Sequence, residues 1–274
     1  MRGEVTSLDL SDLTVHVHTA PAENYMINSV IFELADELLV VDAQMFLSDA
    51  SEFADLIEGI GKPVRQFILS HNHPDHFSGF EVICSRFPDV PLAALPGVTD
   101  YVATLGPEVI AARRAEMGPL VASTAVVPTT ELTVGEQTIG GVRFVFEGFD
   151  DAEAESQVVI HLPDHQTAAV FDLACRAEHH CFTVRPSFDH WIEIMRQLQG
   201  ATTDVRHLIV GHGVPTDVGA LDATIEYLRV AKEVYADVAG PEEYAAALKW
   251  RFPERSEGKW IDLSALLLYR VIYP

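Results

Sequence analysis

Ser70-His71-Asn72-His73-Pro74-Asp75-His76 is the stretch on which the reading of this chain turns. Three histidines and an aspartate fall within six residues. A strand-like apolar run (Val64, Phe67, Ile68, Leu69) precedes it, and a helix-like run, Phe77 to Phe87, follows. Imidazole and carboxylate are the usual protein ligands of a hydrolytic zinc or similar divalent ion. On an extended or turning backbone, alternate residues point to one side. His71 and His73 are therefore placed to reach one ion, and Asp75 and His76 a neighbouring one. The plain alternative is a polar turn rich in histidine; four ligand-type side chains in this order argue against it. Strand, loop, then helix sets the ligands at the carboxyl end of a strand, where α/β folds build their sites.

Upstream, Ser48 to Ile60 reads as a helix, with Phe53, Leu56, Ile57 and Ile60 on one stripe, Ser48 as cap and Gly61 as stop. Val15 to His18, Ile27 to Leu34 and Leu38 to Val41 read as strands, the last two joined by a turn at Ala35-Asp36-Glu37. Downstream, Val90 to Ala94 reads as a short strand, and Val98 to Leu105 and Glu108 to Met117 as helices. Arg113-Arg114 is a rare basic spot, read as a solvated helix face ahead of an anion contact. Gln137 to Phe149 has strand character, with Val142, Phe144 and Phe146 on one side. Gln157 to Leu162 and Thr167 to Phe171 are strands around a Pro163-Asp164-His165-Gln166 turn. A helix over Phe188 to Leu198 and a strand over Arg206 to Val210 lead to Gly211-His212-Gly213. The remainder reads as helical: Val218 to Val238, Pro241 to Trp250, and an apolar stretch from Ile261 to Ile272.

The chain has 274 residues and is 48% hydrophobic, enough for one sizeable core. Asp plus Glu number 41 against 18 Lys plus Arg, a net charge of −23. Such a surface repels phosphate backbones and anionic membranes, so neither nucleic acid nor membrane is expected as partner; a small-molecule substrate is, with an oligomer left open. Cys84, Cys175 and Cys181 form no CxxC pair and no even framework, so they are expected to be reduced. No apolar leader and no run near the roughly 18 apolar residues of a membrane span is present, which points to a cytoplasmic location.

His71-Asn72-His73-Pro74-Asp75-His76, with Gly79 three residues later, resembles the His-x-His-x-Asp-His signature of the metallo-β-lactamase superfamily. The resemblance implies an α/β fold, the αββα sandwich. Residues 1–216 would form it, and extra C-terminal helices, 217–274, would pack on the same domain. It implies a dinuclear centre with ligands His71, His73, Asp75 and His76 from the signature and others from three later places. The first place usually holds a histidine in a Gly-His-Thr turn, ten residues before a strand-ending proline. Here that position is Glu153, as in the alkylsulfatase-like branch, with Glu155 and Asp150 as nearby alternatives. The second is a bridging aspartate; Asp172 stands nine residues past Pro163, preceded by Phe171 where the family usually has glycine. The third is a histidine after a late strand, His212. Asp42, at a strand end, is either a group supporting the metals or an ordinary carboxylate. His179 or His180 is a possible substrate contact.

Two divalent ions are implied, zinc first, with Mn or Fe made plausible by the extra carboxylate. The expected function is a metal-dependent hydrolase that ionises water for attack on a small ester-like substrate: a lactone, thioester, sulfate ester or amide. Asp75 would bind the second ion, orient the water and pass a proton to the leaving group. An iron-dependent oxygenase or redox protein on the same fold, or a non-catalytic metal-binding scaffold, are the alternatives. The substrate pocket is expected from residues 95–130 and the C-terminal helices.

Overall fold

In the computed structural model, which describes residues 2–256 and 258–270, alternating apolar residues of the first half build a sheet of seven strands. β1 (Glu4–Asp9), β2 (Thr14–Thr19), β3 (Asn28–Glu33) and β4 (Leu38–Val41) run antiparallel, each beside the next. β5 (Val64–Ile68), β6 (Leu92–Ala94) and β7 (Thr130–Glu131) extend the sheet in parallel. Five helices connect and cover the parallel part: α1 (Leu47–Ile60), α2 (Pro74–Phe77), α3 (Phe80–Arg86), α4 (Pro96–Thr104) and α5 (Gly106–Met117). The predicted stripe of α1 holds in part: Phe53 and Ile57 are buried in the core, with Leu56 and Ile60 packed at its margin. Gly61 ends α1 in the left-handed conformation, φ 76°. Ser48 does not cap it; the helix starts one residue earlier, so Ser48 sits inside the first turn beside Asp49.

The second sheet has the order β12-β11-β10-β9-β8. Its strands are β8 (Gly135–Ile139), β9 (Val142–Asp150), β10 (Ser156–Leu162), β11 (Thr167–Phe171) and β12 (His207–Val210), antiparallel except for the β11–β12 pair. The single run expected over 137–149 is thus two strands. Gly140 (φ 56°) and Gly141 (φ 86°) form a two-residue turn of the twist that hairpins prefer. Four helices follow or intervene: α6 (Phe188–Ala201), α7 (Gly219–Asp237), α8 (Pro241–Arg251) and α9 (Gly258–Tyr269). Val271 and Ile272 of the expected last apolar stretch lie outside the described residues.

Strand periodicity assigns each side chain of this sheet to a layer. Val158, Ile160, Leu162, Ala169, Phe171 and Ile209 turn inward and join the core of the first sheet. Val159, Ala168, Val170, Leu208 and Val210 turn outward and join a second core with α6, α7, α8 and α9. Phe32 and Phe144 meet edge to face across the two sheets, 5.6 Å between centroids. The result is the αββα sandwich, with the C-terminal helices in its outer layer. Among the described residues no helix is long and apolar enough to cross a membrane.

Gly79 has a specific task. A Cβ there would lie 1.7 Å from the Ala43 carbonyl oxygen, so the histidine-rich loop and α3 can lie against the segment after β4 only because Gly79 lacks one. One expectation is overturned. Cys175 and Cys181 are joined in a disulfide, six residues apart, in the loop after β11. That spacing is invisible to a CxxC rule; the loop doubles back and brings the two sulfurs together. Cys84 is a free, half-buried thiol whose pKa burial pushes up to about 11.

Candidate metal centre

Two parallel strand pairs set the site. β4 pairs with β5 (Val41 opposite Ile68) and β11 with β12 (Phe171 opposite Val210). Asp42, the loop from Ser70, Asp172 and His212 therefore all emerge from strand C-termini. The Val158 N–H donates to the Ser70 carbonyl at 3.0 Å, tying the metal loop to the start of β10 and to the acidic loop before it.

The side chains converge in two clusters: His71, His73, Glu153 and Asp172, and Asp75, His76, Asp172 and His212. In each, one ligand-type atom per residue lies within 4.8 Å of the others, and Asp172 belongs to both. Its Oδ2 is 3.7 Å from His71 Nε2 and 3.4 Å from His212 Nε2, and its Oδ1 is 3.4 Å from His76 Nε2. Glu153 Oε1 lies 3.1 Å from His73 Nδ1, and Asp75 Oδ2 3.3 Å from His212 Nε2. Glu153 is the acidic-loop residue that turns in. Glu155 instead pairs with Arg185, and Asp150 is exposed.

The far ends of these side chains are held by the frame. His76 Nδ1–H donates to Asp42 Oδ2 at 2.9 Å, and His212 Nδ1–H to the Tyr25 carbonyl at 2.8 Å. Ser70 Oγ–H donates to Asp42 Oδ2, so its oxygen is left to accept from His71 Nδ1, 2.9 Å away. Each of these imidazoles thus turns an Nε2 lone pair inward. Asp42 is the hub: it stands outside the two four-membered clusters but forms a third group with His71 and His76. Phe171 takes φ 47°, a conformation that favours glycine, to aim Asp172 inward. That explains the glycine usual before such an aspartate.

Among the described residues the inward atoms find no hydrogen-bond partner. His71, His76 and His212 Nε2, Asp75 Oδ2, Asp172 Oδ1 and both Glu153 oxygens are buried without a hydrogen bond. Buried polar atoms are ordinarily satisfied, so a convergent set of orphans, nitrogen and carboxylate oxygen, fits divalent cations. Without ions, protons must serve. Burial pushes the Glu153 carboxyl up to about 7, against the pull of His73. Burial lowers His212, but Asp172 and Asp75 overcome it and raise the imidazole to about 10; His76 is raised in the same way. These protons must leave when ligands bind metal. Loading metal at pH 7 is therefore expected to release protons, and affinity to fall as pH falls, since raised pKa values favour the protonated competitor. Calorimetry in buffers of different ionisation enthalpy reads this; a buffer-independent heat would contradict it.

Other residues have ordinary duties. His16 bonds Ser7 and Glu33, His161 faces Glu147, and His165 faces Asp12. His180 bonds the Tyr227 hydroxyl, whereas His179, held by Ser256, lines a small cavity beside Asp172, Glu153 and His212. Arg113 pairs with Glu116, and Arg114 donates to the Val121 carbonyl. Ser70, Tyr25 and Asn28 carried no spacing signal. Asn28 is fully buried and donates to the Val210 and Gly213 carbonyls at 2.7 and 2.6 Å, clamping the His212 turn from both sides.

A sandwich of two sheets with a cage of histidine and carboxylate at the strand ends defines a metallohydrolase-type fold. Residues 23–212 match the sequence profile of the metallo-beta-lactamase superfamily, and the chain belongs to that superfamily. It is 26% identical over 227 residues to the alkyl/aryl-sulfatase BDS1 of Saccharomyces cerevisiae, a match that covers 69% of this chain and 35% of the yeast protein. The chain thus spans about a third of that relative's length. Among solved structures, a metallo-beta-lactamase from Pontibacter korlensis superposes with a TM-score of 0.64 at 17% identity, over 83% of this chain and 99% of that one. The inverting sec-alkylsulfatase Pisa1 from Pseudomonas sp. superposes with a TM-score of 0.64 at 18% identity, over 94% of this chain and 49% of that one.

Proposed function

We propose that the protein is a dinuclear metallohydrolase of an ester-like substrate with an apolar organic part, a sulfate ester first among the candidates. The observation that carries this is the two-cluster cage with Asp172 shared and Glu153 facing inward. A glutamate at this position resembles the alkylsulfatase-like branch, and the yeast relative is an alkyl/aryl-sulfatase. Two divalent ions, when bound, supply Lewis acidity toward the substrate oxygen and lower the pKa of water from 15.7 to about 7.

The chain's own residues do the rest. His71, His73 and Glu153 would hold one ion, Asp75, His76 and His212 the other, and Asp172, common to both clusters, would serve both. Asp75 borders the substrate cavity and is placed to orient the attacking water and carry a proton toward the leaving oxygen. A cavity of about 520 Å³ opens from His73 and Asp75 between α4–α5 and α9, lined by Leu105, Val109, Met117, Leu263 and Leu267. These apolar walls suit the organic part of the substrate.

Each cluster holds two imidazoles and two carboxylates, a harder donor set than one with a third histidine. Metal-stripped protein refilled with Zn, Mn or Fe should therefore hydrolyse with more than one metal. The test is turnover of a panel of sulfate esters, lactones, thioesters and amides by each refilled form. Hydrolysis of none of them, or oxygen consumption by an iron form, would overturn the reading; activity confined to one metal would overturn the account of Glu153.

A further inference from the structure

Two cavities meet at the candidate metal centre, and three aromatic side chains line both: Tyr25, Phe182 and Trp260. One cavity is small, about 30 Å³, and bounded by Glu153, Asp172, His212, Arg176 and His179. The other is the large apolar channel. We infer that Trp260 is the specificity-determining residue of the site: with Phe182 and Tyr25 it forms an aperture between the chambers that admits an unbranched organic group and excludes a bulky one. The inference rests on the hydrolase reading for its substrate, though not for the aperture itself.

Trp260 stands at the centre of an aromatic chain. Its ring is 4.7 Å from Phe182, 5.2 Å from Tyr25 and 5.3 Å from His212, centroid to centroid. Phe182 in turn lies edge-on to His73 at 5.5 Å. The rings therefore lean on one histidine of each cluster and roof the reacting zone. His73 and Asp75 also line the large channel, so a substrate with its scissile group at the cage and its organic part in the channel lies against these rings.

The aperture is held firmly. On the adjacent face of α9, Ile261, Ala265 and Leu268 are buried in the outer core. Ser264, also buried, donates to the Thr183 carbonyl at 2.7 Å, and Thr183 Oγ1 lies 2.9 Å from the Tyr244 hydroxyl. Thr183 directly follows Phe182, so the helix bearing Trp260 and the loop bearing Phe182 are fixed to each other. A wall locked by packing beside it discriminates by shape, because widening it would disturb a filled core. Trp260 lies beyond the superfamily match, which ends at residue 212, whereas Tyr25 and Phe182 lie within it.

The test compares slender and bulky groups of equal carbon number. Competition binding of 1-octanol and cyclooctanol needs neither metal nor turnover; kcat/KM for the matching esters is read on the metal-loaded protein. Wild type should prefer the linear member of each pair. Trp260→Ala should shift the ratio toward the cyclic member by about tenfold, the scale at which a pocket weighs a few methylenes. Trp260→Phe should fall between. Trp250→Ala, at a tryptophan 78% exposed on α8, should leave the ratio at its wild-type value. A ratio within about twofold of wild type in Trp260→Ala would overturn the inference. Should that variant shed metal, the alcohol comparison still decides. Absence of turnover with every ester, beside a shifted alcohol ratio, would reject the hydrolase reading and keep the aperture.

Discussion

Asp172→Ala is expected to cut metal-dependent turnover by about a thousandfold or more and to leave at most one ion per chain. Asp172 is common to both clusters, its oxygens 3.4 to 3.7 Å from His71, His76 and His212. No other carboxylate of the cage has that reach. The fold should survive, because Oδ1 makes no hydrogen bond to the frame, and His76 and His212 keep their own bonds to Asp42 and Tyr25 once the carboxylate is gone. His73→Ala should behave alike at the first cluster. Elemental analysis and near-ultraviolet circular dichroism separate lost metal from lost structure. Full activity in either variant would remove the proposed site.

Gly211→Ala should be nearly as damaging although it deletes no ligand. A Cβ at this position would lie 1.5 Å from Asp172 Oδ1 and 2.8 Å from its Cγ. Gly211 therefore provides the space in which the shared carboxylate sits. The backbone cannot yield: the Gly211 carbonyl accepts from Asn28 N–H, Gly213 N–H donates to Met26, and the Asn28 amide clamps both flanks. The carboxylate must swing away instead, with a loss of metal stoichiometry and of activity by about a hundredfold. An alanine variant with two ions per chain and wild-type turnover would show that Asp172 is not held where this geometry puts it.

Much of the cage was legible because its ligands follow strand ends. His71 to His76 read as a unit from local spacing, and His212 from its flanking glycines. Glu153 needed the resemblance, since Asp150, Asp151, Glu153 and Glu155 are equivalent in sequence. Only folding separates them: the Ser70–Val158 hydrogen bond fixes where β10 starts, and Arg185 draws Glu155 and Asp151 outward. Asp42 was ambiguous for the same reason, its role depending on the parallel register of β4 with β5. The Cys175–Cys181 bond, the Asn28 clamp and the Trp260 roof arise from contacts between distant or looped segments. Periodicity carries no trace of such contacts. Strand alternation, by contrast, is legible in β9, where Val142, Phe144 and Phe146 fall on one side and are buried in the core of the first sheet.

The central claim is that these seven side chains cage two ions across Asp172. Anomalous scattering from crystals of metal-replete protein, collected on both sides of the Zn, Fe and Mn edges, tests it most directly. The account predicts two peaks about 3.5 Å apart, as in two-metal hydrolytic sites, with Asp172 between them and Glu153 on the ion held by His71 and His73. No peak in the cage, or a single peak with Glu153 turned to solvent, would contradict it.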